Sequence, residues 1–192
     1  GAFSPLNGFM DQNNYNSVLD KNRLADNTVW PMPIILDVNN DLAEKVNKSD
    51  MLALRDKEGY LIAILNIDDK WVYDKELEAN KVYSTTDITH PGVRYLFENG
   101  GDFCLGGELI GVEQPHHHDF LEDRLDPIQT RQFFEDNNWD KVVAFQTRNP
   151  MHRAHKEIMQ RAADEIGGKA FLHPVVGMTK QGDVDYFTRV RC

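Results

Sequence analysis

Cysteine is scarce in this sequence, which contains Cys104 and Cys192 among its 192 residues. Two cysteines at this separation provide neither a disulfide framework nor the paired spacing of a cysteine zinc site. We therefore expect a cytoplasmic protein, because disulfides are rare in proteins of a reducing compartment. Cys104 lies between two apolar residues, and we expect it to be a small buried side chain.

Long apolar runs, repeats and targeting signals are also missing. No apolar run approaches the ~20 residues that span a bilayer, and no secretory signal opens the chain, so we expect no membrane partner. We find no internal repeat and no low-complexity segment. The sequence begins at Gly1 rather than at Met, and we expect it to have been processed or cut.

Positive charge is sparse in the first two thirds of the chain. Residues 1–127 contain 11 Lys and Arg against 23 Asp and Glu, a net charge of −12, whereas residues 128–192 contain 10 against 8. An acidic surface repels nucleic acid and anionic membranes, so we expect no nucleic-acid partner. The last third is the part that can accept an anion.

The first part has the pattern of a mixed, strand-rich domain. Residues 51–55 and 60–67 flank a turn that contains glycine, which predicts a β-hairpin. Residues 103–112 predict another strand, whereas Trp71 and Asp87 are predicted to begin helices.

A polar, irregular stretch at residues 114–120 predicts a linker, and we place one domain at residues 1–125 and a second at residues 126–192. Asp126 and Pro127 are typical of a helix start, as N-cap and first residue. A parallel βαβ unit is predicted after that helix, with a strand at 139–145, a helix at 150–166 and a strand at 170–176.

Residues 146–155 (QTRNPMHRAH) fall where the first strand of this unit passes into its helix. Free backbone N–H groups and the helix dipole make such a corner an anion site. The guanidinium of Arg148 can bind two oxygens of a tetrahedral anion, and the Gln146 amide can donate to the same anion. Thr147 either holds the turn or contacts phosphate.

The helix start is predicted at Asn149, as N-cap, with Pro150 in the first turn. His152 and His155 are three residues apart and therefore share a helix face, from which they can donate hydrogen bonds to phosphoryl oxygens. The predicted inward stripe of this helix consists of Met151, Ala154, Ile158, Ala162 and Ile166.

Metal binding is the competing interpretation of the histidines. The zinc protease pattern places two histidines four residues apart with Glu after the first, whereas here Arg153 follows His152. We expect no metal site there. His116, His117 and His118 cannot all point one way in an extended segment, and we expect them to form a solvated loop.

Three segments together resemble the ATP sulfurylase (sulfate adenylyltransferase) family: residues 146–155, residues 175–185 (VVGMTKQGDVD) and residues 1–10 (GAFSPLNGFM). The first is that family's signature. The resemblance implies a PUA-like, β-rich N-terminal domain of α+β type, followed by an α/β nucleotidyltransferase domain of the HxxH, Rossmann-like class. The family's glycine-rich motif with an Arg-Asp-His core is not found, so we expect an incomplete catalytic domain and a fragment.

The activity that the resemblance implies is the reaction of ATP with sulfate to give adenylyl sulfate and pyrophosphate. This is the first step of sulfate activation, or its reverse in sulfur oxidation. Sulfate would attack the α-phosphate in line, without a covalent nucleophile. Mg²⁺ would arrive with ATP. The resemblance also implies a homo-oligomer for the full-length protein.

The resemblance assigns a role to each residue of the signature. Gln146 and Arg148 would bind sulfate. Thr147, Arg148 and Asn149 would form an active-site triplet, and His152 and His155 would stabilise the transition state on the ATP phosphates. All six would contact ATP.

Three alternatives remain open at this point. The chain could belong to another adenylyltransferase that acts on a phosphorylated or carboxylated substrate. It could be an RNA-binding module, as PUA-like domains are elsewhere, although the charge of residues 1–127 opposes that. It could also be a fragment that folds without turnover.

Overall fold

The structure is a computed structural model that describes residues 3–111, 113–114, 116–176 and 182–192. The residues outside these ranges include parts of the predicted linker and of the second and third family-like segments. Contacts divide the chain into two compact units, the first ending at Asp119 and the second beginning at Phe120. No helix in the described ranges is long and apolar enough to cross a membrane.

The first unit is built on a five-stranded antiparallel sheet. Its strands are β1 (Gly8–Phe9), β2 (Leu36–Val38), β3 (Met51–Arg55), β4 (Leu61–Val72) and β5 (Phe103–Ile110). β5 pairs with β1, β2 and β4, and β3 pairs with the other side of β4. The hairpin predicted from the glycine turn is confirmed as β3 and β4, with Leu52 opposite Leu65.

The burial of every second side chain along β4 explains where the core of this unit lies. Ala63, Leu65 and Ile67 are buried at every second position, because successive side chains of a strand point to opposite faces. Leu105 of β5 packs in this core with Leu65 and Ile67, whereas its neighbour Cys104 is fully buried in a second core that contains Tyr15 and Trp71. The burial expected for Cys104 is therefore confirmed, and it raises the pKa of the thiol.

The helix predicted from Trp71 is present but begins later, at Lys75, because β4 continues through Trp71 and Val72. These two residues pair with Cys104 and Phe103 of β5, which provides partners for the strand backbone. The Trp71 ring also packs on Tyr15, 5.6 Å between ring centroids. Long-range pairing and packing here outweigh the local sequence signal.

Four helices surround the sheet: α1 (Gln12–Lys21), α2 (Asn40–Ala43), α3 (Lys75–Glu78) and α4 (Pro91–Asn99). A π-helical turn, Ala79–Tyr83, extends α3. The helix predicted from Asp87 begins later, at Pro91, because Nδ1 of His90 accepts hydrogen bonds from the N–H groups of Gly92 and Val93.

The second unit contains α5 (Pro127–Asp136), β6 (Val142–Thr147), α6 (Arg153–Ile166), β7 (Lys169–Pro174) and α7 (Tyr186–Arg191), preceded by a short 3-10 turn. Asp126 caps α5 as predicted, in a reciprocal capping box with Gln129. β6 and β7 pair in parallel, with Val142 opposite Lys169 and Thr147 opposite Pro174. The predicted βαβ unit is thus confirmed, and Gly167 ends its helix in the left-handed conformation, with φ of 63°.

A buried carboxyl group lies in the core of the first unit. Glu78 is 8% exposed, and its Oε2 has no hydrogen-bond partner in the part of the chain that the structure describes. Burial raises the pKa of the Glu78 carboxyl, and the hydroxyls of Tyr73 and Tyr15 act in the opposite direction. A carboxyl whose pKa is raised on folding favours the folded state at low pH. That contribution is lost as the pH rises through the folded-state pKa.

We predict that Glu78→Gln, which keeps the shape of the protonated acid, increases the free energy of unfolding at pH 8 by about 1–3 kcal/mol. The gain should shrink as the pH falls towards 4. Urea unfolding between pH 4 and pH 8 measures it, with the exposed Glu76→Gln on the same helix as control. A Glu78→Gln effect that does not change with pH would contradict the burial argument.

Candidate functional site

The predicted signature lies at one edge of the second unit. Parallel pairing of β6 and β7 brings their carboxyl ends together, and α6 begins at that same edge. In open α/β sheets, ligands bind outside the carboxyl ends of the strands. The N-terminus of α6 adds the positive end of its dipole.

Helices pack on both faces of this strand pair. Phe145 contacts His155 of α6, with 5.3 Å between ring centroids. Phe171 contacts Phe134 of α5, with 5.6 Å between centroids. Because neighbouring residues of a strand point to opposite faces, Gln146 lies on the face opposite to Phe145 and His155.

Thr147 closes the turn that follows β6. Its Oγ1 accepts a hydrogen bond from the Asn149 N–H at 3.1 Å and donates one to the Asn149 carbonyl at 2.9 Å. A hydroxyl that bonds to the backbone two residues ahead stabilises such turns. Of the two roles left open for Thr147, the structure therefore supports holding the turn. Arg148 lies within it and is exposed.

The predicted start of α6 at Asn149 and Pro150 is wrong. His152 is the N-cap and the helix begins at Arg153. Nδ1 of His152 accepts a hydrogen bond from the Ala154 N–H at 3.2 Å, and Nδ1 of His155 accepts one from the His152 N–H at 3.3 Å. We call this pair of bonds the histidine cap. Asn149 is the better N-cap by frequency, but its backbone is held in the Thr147 turn.

The histidine cap determines which ring nitrogens can donate. A ring nitrogen that accepts a hydrogen bond carries no proton, so the proton of a neutral imidazole is then on the other nitrogen. Both Nδ1 atoms are acceptors, and therefore Nε2–H is the donor of His152 and of His155. The two rings lie 5.9 Å apart, at the edge where β6 and β7 end. They can offer two donors to one polyanion.

The inward stripe of α6 differs from the predicted one. Met159 and Ala163 are buried, and His155 lies one turn before them on the same face. Ile158, predicted to be inward, is 65% exposed. The later helix start explains part of this shift, because Met151 precedes the helix. His155 is thus anchored by the packed face of α6.

His173 is a candidate that the sequence analysis missed. It lies opposite Gln146 in the parallel register and stacks on Phe171, with 5.7 Å between ring centroids. The available signal was a polar residue at the carboxyl end of the second predicted strand. Paired strand ends place His173 beside Gln146 on one face of the sheet edge.

Within the described ranges, no three His, Cys, Asp or Glu side chains are grouped to hold a metal ion. The donors at the β6 and β7 edge are instead cationic or neutral nitrogen groups: an arginine, an amide and imidazoles. Such groups suit oxyanions. The predicted residues Gln146, Thr147, Arg148, Asn149, His152 and His155 lie within ten consecutive positions around this edge.

Comparison with protein-family models gives two matches, one in each part of the chain. Residues 1–114 match the PUA-like domain, and residues 122–192 match the ATP-sulfurylase model. These matches confirm the resemblance and the fold class predicted from the sequence.

Curated relatives match along the whole chain. A sulfate adenylyltransferase of Schizosaccharomyces pombe is 50% identical over 193 residues, and one of Saccharomyces cerevisiae is 47% identical over 191. The chain spans 39% and 37% of the lengths of these two relatives.

A solved structure described as a hexameric APS kinase from Thiobacillus denitrificans is also similar. Its TM-score is 0.72 and its sequence identity is 34%. The match covers 100% of this chain and 34% of that one.

Proposed function

Because the chain belongs to the ATP-sulfurylase family, we propose that it carries part of the active site of a sulfate adenylyltransferase. The reaction joins ATP and sulfate into adenylyl sulfate and releases pyrophosphate. We propose residues 1–125 as the PUA-like domain and residues 126–192 as the start of the catalytic domain. The observation that carries the proposal is the histidine cap beside the Arg148 turn, because it places oxyanion donors at one strand edge.

The chemistry needs two anions to be held together while charge develops on phosphoryl oxygens. In this proposal Arg148 and Gln146 bind sulfate. His152 and His155 donate through Nε2 to the ATP phosphates, and the Thr147 turn fixes the backbone that carries Arg148 and Asn149. These residues bind, orient and neutralise charge, and none has to form a covalent bond.

Mg²⁺ would be bound by the ATP phosphates and would neutralise part of their charge, as expected for a cation that keeps most of its waters. The donor set at the strand edge contains no carboxylate, so it fits phosphate oxygens better than a bare metal ion. We further propose a homo-oligomeric, cytoplasmic enzyme of sulfate assimilation.

A second adenylyltransferase activity, on a phosphorylated or carboxylated substrate, is the nearest rival. Arginine and glutamine ahead of the turn favour an inorganic tetrahedral anion, because the arginine fork binds two oxygens at once. An RNA-binding role of the first domain is disfavoured by the net charge of −12 on residues 1–127. Filter binding across a salt titration tests it directly.

The activity test uses the complete gene product that contains this chain. Pyrophosphate release from ATP is measured with sulfate, with molybdate and without added anion, and we expect release only with an anion. We predict that Arg148→Ala lowers anion-dependent turnover by about 10²–10³-fold, the usual cost of losing one preorganised donor.

Arg161→Ala is the matched control, since Arg161 is an exposed residue of α6 paired with Glu157. It should retain full turnover. Equal rates in the Arg148→Ala protein and the wild type would reject the role of Arg148. Release without any anion would remove sulfate from the proposal.

A second prediction separates the two roles of His152. Asparagine is a strong N-cap, so His152→Asn should preserve thermal stability while it removes the Nε2–H donor. We expect its kcat to fall about 10²-fold. His152→Ala should lose turnover and also about 1 kcal/mol of stability. Full turnover in His152→Asn would restrict this residue to helix capping.

A further inference from the structure

Arg189 is a buried cation with an unusual set of partners. It lies on α7, is 5% exposed, and forms no ion pair with any carboxylate in the described ranges. Among the residues that the structure describes, its Nε is buried without a hydrogen-bond partner. Burying a charge without an opposite charge costs free energy, so the contacts that this side chain does make must hold it in place.

Those contacts are to two backbone carbonyls. One terminal nitrogen of the guanidinium donates to the carbonyl of Val175, and the other donates to the carbonyl of Val184 at 2.6 Å. The planar arginine fork can direct two donors at fixed angles, which the single ammonium of lysine cannot do. Arg189 thus joins the residue that follows β7 to the residue that precedes the N-cap of α7.

Val175 connects this fork to the proposed site. Its N–H donates to the carbonyl of Thr147, the last residue of β6, at 2.9 Å. This bond continues the β6–β7 ladder by one residue beyond β7. Thr147 in turn closes the turn around Arg148 through its two bonds to Asn149. A continuous series of hydrogen bonds therefore runs from α7 through Val175 and Thr147 to Asn149.

We propose that Arg189 is a positioning residue for the anion site. It fixes the Val175 peptide, and through it the turn that presents Arg148, although it lies outside the signature itself. This inference rests on the proposed function only for its kinetic consequence. The role of Arg189 in holding the Val175 peptide and the turn does not depend on the proposed reaction.

The test is Arg189→Lys, which keeps the charge and loses the fork. The control is Arg191→Lys on the same helix, where the exposed guanidinium lies over Phe187 at 5.4 Å. Amide hydrogen exchange is followed by NMR at Val175, at Asn149 and at Met159 in the packed face of α6. We expect exchange at Val175 and Asn149 to become about tenfold faster in Arg189→Lys while Met159 is unchanged, because only local opening is affected.

The kinetic arm uses the complete gene product. We expect the KM for sulfate to rise about tenfold in Arg189→Lys, equivalent to about 1.4 kcal/mol, and the KM for ATP to stay the same. In the Arg191→Lys enzyme, both KM values should be unchanged. Equal acceleration of exchange at all three amides would mean general destabilisation and would overturn the proposal, as would unchanged exchange at Val175.

The two proposals fail separately. If Arg189→Lys speeds amide exchange at Val175 and Asn149 only, but leaves the KM for sulfate unchanged, the positioning role is overturned. The Arg148→Ala enzyme would still test the proposed activity. A wild-type enzyme without sulfate-dependent turnover would defeat the proposed function, and the exchange data would still decide whether Arg189 holds the turn.

Discussion

The arrangement of the site depends on the hydrogen bonds that satisfy the first turn of α6. A helix start leaves N–H groups without partners inside the helix, and something must accept from them. Here the acceptors are the Nδ1 atoms of His152 and His155. The same two side chains accept hydrogen bonds from the helix start and, by doing so, orient their own Nε2 donors. A change in either histidine therefore affects both the helix and the donors.

The surroundings of the histidine cap make it useful for binding anions. Phe145 packs against His155 from the strand, and the turn closed by Thr147 separates the cap from the end of β6. Gln146 emerges on the opposite face of the sheet, beside His173. Donors are thus distributed around a strand edge, at the end of β6, in the turn that follows it and at the start of α6. Such preorganisation is what stabilises charge that develops during a reaction.

The sequence was informative where one local signal had no competitor. Asp126 and Pro127 predicted the start of α5 correctly, and the order of strand, helix and strand predicted the parallel pair. The sequence was misleading where a tertiary contact, or a less common local interaction, determined the structure instead of the usual local preference. Asn149 is the statistically preferred cap, but the Thr147 turn holds its backbone. The place of His173 beside Gln146 depends on strand register, and the role of Arg189 depends on two carbonyls that the sequence does not bring together.

The most direct test of this account is the ¹⁵N NMR spectrum of the two imidazole rings, recorded with and without ATP. We expect both neutral rings to carry their proton on Nε2, and saturating ATP to shift the Nε2 resonances of His152 and His155. A proton on Nδ1 in either ring, or Nε2 resonances that do not respond to ATP, would contradict this expectation.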